Sequence, residues 1–160
     1  MIIEDDPDTI QLLQVVLKTG GYQPIPALGG KAGLQLLASS SADLILLDLM
    51  MDDVDGWTLL ETLKQDPALA DIPVIILSVK NPLEDPRRIK SHAGMFADYV
   101  VKPFNVRDLL ARVRRTLDGY RTPLSGRGYG APADDATSTA AGQPEAQATV
   151  EEEAETSAGG

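Results

Sequence analysis

Over its first 118 positions the chain alternates between two hydrophobic patterns. Short unbroken apolar runs, at Ile2-Ile3, Leu44-Ile45-Leu46-Leu47, Val74-Ile75-Ile76-Leu77 and Tyr99-Val100-Val101, read as strands buried on both faces. Between the runs, apolar residues recur at helical spacing: Ile10, Leu13 and Leu17, then Leu59, Leu60 and Leu63, then Leu109, Leu110, Val113 and Leu117. Turn and cap residues set the bounds. Asp6-Pro7 opens a helix through Lys18, with an acid at the N-cap and proline in the first turn, and Gly20-Gly21 stops it. Residues 23–28 form a weak second strand whose prolines place it near a sheet edge. A short helix follows at 32–38, a strand at 43–47 and a helix at 56–65. The strand at 73–77 ends at Ser78, and a stretch with Pro82 and Pro86 leads into a polar helix around 87–92. The last strand is 99–101, and Asn105 caps the final helix. Strand–helix units in this succession imply a parallel sheet with right-handed crossovers, an α/β doubly wound fold.

Beyond Gly119 the pattern stops. After Leu124 only Tyr129 and Val150 are large and apolar, so residues 119–160, an acidic Ala/Gly/Pro-rich stretch, are expected to be a disordered tail. Charge does not mark this boundary, since each part carries a net −5 of the total −10. That acidic balance argues against a sequence-independent grip on nucleic acid, which needs a basic face. With no cysteine there are no disulfides, thiolate metal sites or cysteine nucleophiles. No apolar stretch approaches the roughly 20 residues of a membrane span, and the first residues lack the basic and apolar regions of a secretory signal. The expected location is cytoplasmic, with no membrane partner.

The strands end in charge. Ile2-Ile3 runs into Glu4-Asp5-Asp6, the third strand into Asp48, and the fifth into Lys102. Ligands of open α/β sheets bind outside the carboxyl ends of the strands, so parallel strands bring these groups to one edge. Carboxylates packed together repel unless a cation neutralises them or one takes a proton. Hard oxygen donors with room for water favour Mg²⁺. Asp48 is then a plausible nucleophile towards phosphorus, Lys102 a point charge for the transferring group, and Ser78 a hydroxyl donor.

Together, Glu4-Asp5-Asp6-Pro7, Asp48-Leu49-Met50-Met51 with Asp55-Gly56, Ser78, and Lys102-Pro103-Phe104 resemble the receiver domain of bacterial two-component response regulators, over residues 1–118. The resemblance implies a flavodoxin-like five-stranded parallel sheet of order 2-1-3-4-5. It implies Asp48 as phosphoacceptor, and Asp5, Asp48 and the Met50 carbonyl as Mg²⁺ ligands, with Glu4 acting through water. Lys102 would contact the phosphoryl oxygens through a cis Lys102-Pro103 peptide. Ser78 and Tyr99 would form the switch, and Met50 and Lys80 stand where the family tunes dephosphorylation. The implied partners are a sensor histidine kinase or phosphotransfer protein, and a downstream protein or second copy on the face of the fourth helix, fifth strand and fifth helix. No direct nucleic-acid contact is implied. Nor is an external substrate: such a module promotes only its own phosphorylation and dephosphorylation.

The chain departs from the family pattern in three places. Asp52 stands where proline usually follows the Met-Met pair, the first strand is short, and the segment from Ser78 to Lys102 is long and proline-rich. The long segment belongs to the family's signalling face and points to an unusual partner, while Asp52 and the short first strand leave room for a second reading, a phosphorylation-independent receiver acting as an interaction or dimerisation module. A stand-alone phosphohydrolase lacks an obvious dedicated base. Asp53-Val54-Asp55-Gly56 fails as a calcium loop, because aligning its glycine puts Met51 and Thr62 where Asp and Glu are needed. Trp57, Met50 and Met51 read as packing residues, and His92 as a surface helix residue.

Overall fold

The structure, a computed structural model, describes residues 1–121; the last helix runs on to Arg121, so the first three residues of the expected tail, 119–121, are helical instead, and the rest of it, 122–160, lies outside the described residues. Five strands, β1 (Ile2–Glu4), β2 (Pro26–Leu28), β3 (Ile45–Asp48), β4 (Val74–Ser78) and β5 (Asp98–Val101), form one parallel sheet in the order β2-β1-β3-β4-β5. Five helices connect and cover them: α1 (Pro7–Thr19), α2 (Gly30–Leu37), α3 (Gly56–Gln65), α4 (Pro86–Ser91) and α5 (Val106–Arg121). A 3-10 turn at Pro82–Glu84 precedes α4.

Successive strand residues point to opposite faces, which is why the apolar runs are unbroken. Ile2, Leu46, Ile75 and Leu77 pack with Ile10, Leu13 and Leu17 of α1 and Leu109 and Val113 of α5. Ile3, Ile45, Leu47 and Ile76 pack on the other side with Leu37 of α2 and Leu59, Leu60 and Leu63 of α3. Each fully buried leucine removes enough apolar surface to be worth about 1.5–3 kcal/mol. The order has its reversal at β1 and β3, the strands that carry Glu4 and Asp48.

The short first strand is fully paired. Ile2, Ile3 and Glu4 stand opposite Pro26, Ala27 and Leu28, and Ile2 and Ile3 opposite Leu46 and Leu47. Its shortness does not leave the centre of the sheet open.

Several bounds shift. The second strand is confined to Pro26–Leu28, because Pro24 and Pro26 lack the N–H a longer ladder needs. The second helix starts earlier, at Gly30, because Asp53 from the β3–α3 loop caps it: its carboxylate accepts from the Gly30 and Lys31 amides at 3.0 and 2.9 Å. A cap supplied across space leaves no local signal. His92 is not a surface residue. Only 6% exposed, it lies 4.5 Å from the Trp57 ring, with Nε2 2.9 Å from Glu61 Oε1 and Nδ1 2.8 Å from the Arg88 carbonyl. With only six residues, α4 has no apolar stripe of its own and fastens to α3 through this histidine and the Arg88–Asp55 ion pair. Trp57 and Met51 are packed as expected, but Met50 is 47% exposed, its side chain lying outside the core that takes Leu49 and Met51 on either side.

Candidate functional site

Each strand that reaches the site ends on a polar side chain. Glu4 closes β1, Asp48 closes β3, Ser78 closes β4, and Lys102 follows β5. Asp5 follows β1 directly, and Asp6 is taken up as the N-cap of α1, accepting from the Asp8 and Thr9 amides. The Lys102-Pro103 peptide is cis.

The structure brings four of the expected residues together. Carboxylate oxygens of Glu4, Asp5 and Asp48 lie within 4.8 Å of one another. The Lys102 ammonium donates to Glu4 Oε2 at 2.6 Å and to Asp48 Oδ2 at 2.8 Å. Asp48 Oδ1 also accepts the Met50 amide at 3.0 Å, and Asp5 Oδ2 accepts the Asp52 amide at 2.9 Å. Three ionised carboxylates against one ammonium leave two negative charges, which matches a divalent cation. An all-oxygen donor set suits Mg²⁺ rather than a softer metal.

Burial pushes the Glu4 carboxyl up to about 7; its bond to Lys102 pulls the other way, and Asp48 adds to the rise. Burial works against the charge on Lys102, yet its bonds to Asp48 and Glu4 hold its pKa above the ordinary lysine value. Below about pH 7 Glu4 therefore holds a proton when no metal is present. Between its ordinary value of 4.5 and about 7, the folded protein holds a proton that the unfolded chain has lost. The Glu4 contribution to stability of the metal-free protein should fall by about 1–3 kcal/mol as pH rises through that window, while the buried Met1 amine, lowered to about 6, works the other way above pH 6, so the Glu4 part is read as the difference between wild type and Glu4→Gln. Urea denaturation in chelator at pH 5 and 7.5 should show wild type losing that much more stability than Glu4→Gln. An equal change in both would mean that Glu4 is not the titrating group.

Ser78 is fully buried, and its hydroxyl accepts the Lys80 amide at 3.2 Å. Its carbonyl accepts the Lys102 amide at 2.7 Å, so the β4 end fixes the start of the lysine's loop. Tyr99 on β5 is half-buried, with its ring edge-on to Phe96 at 6.3 Å, and its hydroxyl donates to the Lys80 carbonyl at 2.9 Å. Burial raises the Tyr99 phenol. The serine and the tyrosine thus meet at one residue, Lys80, at the start of the β4–α4 loop. A cleft of about 310 Å³ lies beside this point, lined by Met50, Asp52, Trp57, Arg88 and Tyr99 among others.

Two contributors escaped sequence reasoning. The Asp52 amide engages Asp5, whereas Asp52 stood out only by its charge; and Asp53 ties the β3–α3 loop to α2. Asp52 acts through its own backbone N–H and Asp53 through a carboxylate that accepts the N–H groups of a distant segment, and neither contact is signalled by the local sequence. Among the described residues no helix is long and apolar enough to cross a membrane.

Residues 1–114 match the response regulator receiver domain. The chain is 39% identical over 117 residues to the DNA-binding dual master transcriptional regulator RpaA of Synechocystis sp., a match covering 73% of this chain and 48% of that protein. It is 36% identical over 120 residues to the heme response regulator HssR of Staphylococcus aureus, covering 75% of this chain and 51% of that one. The chain thus spans about half the length of the curated relatives it matches. Among solved structures, the signal receiver domain of a signal transduction histidine kinase from Syntrophus aciditrophicus superposes with a TM-score of 0.68 at 31% identity, covering 79% of this chain and 94% of that one.

Proposed function

The chain belongs to the response regulator receiver domain family, and on that premise we propose that Asp48 accepts a phosphoryl group from the phosphohistidine of a sensor histidine kinase or phosphotransfer protein. The observation that carries this reading is the bridge of Lys102 between Glu4 and Asp48 at the strand ends, with Asp5 alongside. An Asp48 carboxylate oxygen attacks phosphorus, the phosphorus–nitrogen bond of the donor breaks, and the imidazole leaves with the electron pair. Glu4, Asp5, Asp48 and the Met50 carbonyl are the groups that would hold Mg²⁺, and the ion would supply positive charge to the phosphoryl oxygens. Lys102 turns from Asp48 towards those oxygens, its charge held on by Glu4. Charge stabilisation of this kind is usually the largest catalytic contribution.

Phosphorylation then biases a two-state equilibrium through Ser78 and Tyr99. The Ser78 hydroxyl leaves the Lys80 amide for the phosphoryl group, which loosens the loop whose carbonyl holds Tyr99. The readout is the face of α4, β5 and α5, where a downstream protein or a second copy docks. The module is not an enzyme with an external substrate. It promotes its own phosphorylation and hydrolysis in the cytoplasm. One relative is by its name a DNA-binding regulator, but the acidic balance here favours protein partners over nucleic acid for this chain. The intact cluster weighs against the phosphorylation-independent alternative.

The test is incubation with a small phosphodonor such as acetyl phosphate, with and without Mg²⁺, followed by intact-mass measurement. One added phosphoryl group, removed by hydroxylamine and dependent on Mg²⁺, is the expected outcome. No addition to the wild-type chain would sink the proposal.

A further inference from the structure

We propose that the Asp52 backbone N–H sets the metal specificity of this site, by holding Asp5 as a single-oxygen ligand that suits Mg²⁺ and disfavours Ca²⁺. The inference rests on the reading of Glu4, Asp5 and Asp48 as a metal site. The amide reaches Asp5 Oδ2 at 2.9 Å across 47 positions of sequence. The donor is held in place from both sides. Asp53, its neighbour, is clamped to the first amides of α2, and Asp55 caps α3 by accepting from the Thr58 amide. A loop pinned at both flanks presents its N–H at a fixed point, so Oδ2 of Asp5 is engaged before any metal arrives and Oδ1 is left as the open donor.

This matters because the two hard cations use carboxylates differently. Ca²⁺ takes six to eight oxygens in flexible geometry and readily accepts both oxygens of one carboxylate. Mg²⁺ demands near-octahedral geometry and binds one or two carboxylates while keeping its waters. Asp48 already has both oxygens engaged, Oδ1 by the Met50 amide and Oδ2 by the Lys102 ammonium, which opposes its binding a cation through both at once. Asp52 is therefore the residue that places a comparable restraint on the second carboxylate. Proline, usual here in receivers, has no N–H to offer. Its replacement by aspartate adds a donor as well as a charge.

Two substitutions separate these effects. Asp52→Ala keeps the N–H and removes the charge, while Asp52→Pro removes both. Full-chain protein is titrated calorimetrically with MgCl₂ and with CaCl₂. Asp52→Ala should weaken both metals by a similar factor and leave the Mg²⁺/Ca²⁺ affinity ratio within about twofold of wild type. Asp52→Pro should shift that ratio towards Ca²⁺ by about tenfold, the lower end of what a hydrogen bond to a charged acceptor contributes. Equal ratios in the two variants would overturn the inference while leaving the metal site standing. A wild-type chain that binds neither cation would instead remove the metal-site reading, and the inference with it. If Asp52→Pro does not fold, hydrogen exchange decides. The Asp52 amide should be protected in metal-free wild type and exchange at least tenfold faster in Asp5→Ala; an amide that exchanges freely in wild type refutes the proposal.

Discussion

Asp48→Asn should take up no phosphate under conditions where the wild-type chain gains one. The amide that replaces the carboxylate has no anionic oxygen to attack phosphorus, and it cannot form an acyl phosphate. The substitution is nearly isosteric, so the fold around it should hold. Its Oδ1 can still accept the Met50 amide, and the Lys102 ammonium keeps Glu4 as a partner at 2.6 Å. Removing one of three crowded carboxylates also relieves repulsion. The metal-free variant should therefore be at least as stable as wild type, and the burial-raised Glu4 should move back down as Asp48's charge disappears. The decisive measurement is intact mass after acetyl phosphate and Mg²⁺, with urea denaturation alongside. Phosphate on the Asn variant would transfer the acceptor role to a neighbouring carboxylate, with Asp5 the first candidate. Loss of phosphate together with loss of stability would mean instead that Asp48 is a structural anchor for Lys102.

Why the acceptor was legible from sequence, and other parts were not, follows from how each residue is held. Glu4 and Asp48 end strands and Lys102 follows one, and a strand end is visible where an apolar run stops at a charged residue. Once strand order is parallel, those ends must share an edge. The α3 helix was equally legible, because Asp55 caps it locally and Leu59, Leu60 and Leu63 repeat at helical spacing. What was hidden depends on contacts between distant segments. Asp53 moves the start of α2 by capping it from another loop, and the Asp52 amide reaches Asp5. His92 looked like a polar surface residue because α4 is too short to show periodicity, yet Trp57 and Glu61 of α3 enclose it. Side-chain type identifies chemistry at strand ends; it says little about a backbone N–H or a partner tens of residues away.

Gly56→Ala should be among the most destabilising single substitutions in the chain, although alanine is the better helix former. A Cβ at Gly56 would lie 2.4 Å from the Asp48 carbonyl oxygen and 2.5 Å from Leu49 Cα. Both are backbone atoms, so no rotamer change relieves the overlap. The Gly56 amide donates to the Leu49 carbonyl at 3.2 Å, which pins the first turn of α3 against the end of β3. Relief would require the helix to back away, carrying Trp57, Leu59 and Leu60 out of register with the sheet. Helix propensity would favour alanine by about 1 kcal/mol, but overpacking against a rigid neighbour costs typically 1–3 kcal/mol and sometimes more. Two backbone atoms this close put the clash at or beyond the top of that range, about 3–4 kcal/mol, so a net loss of about 2–3 kcal/mol is expected. Gly119→Ala is the control of opposite sign. It lies in α5 with no heavy atom within 4 Å of the added Cβ, so alanine there should stabilise by about 0.5–1 kcal/mol. Urea denaturation of the two variants should therefore move in opposite directions from wild type. Because the atom struck at Gly56 is the carbonyl of the acceptor itself, phosphate uptake should fall even under conditions where the variant is folded, while Gly119→Ala should leave it unchanged. If both variants were equally stable, the close approach of α3 to the acceptor strand would be wrong, and with it the reason an Asp-Gly pair follows the acceptor loop.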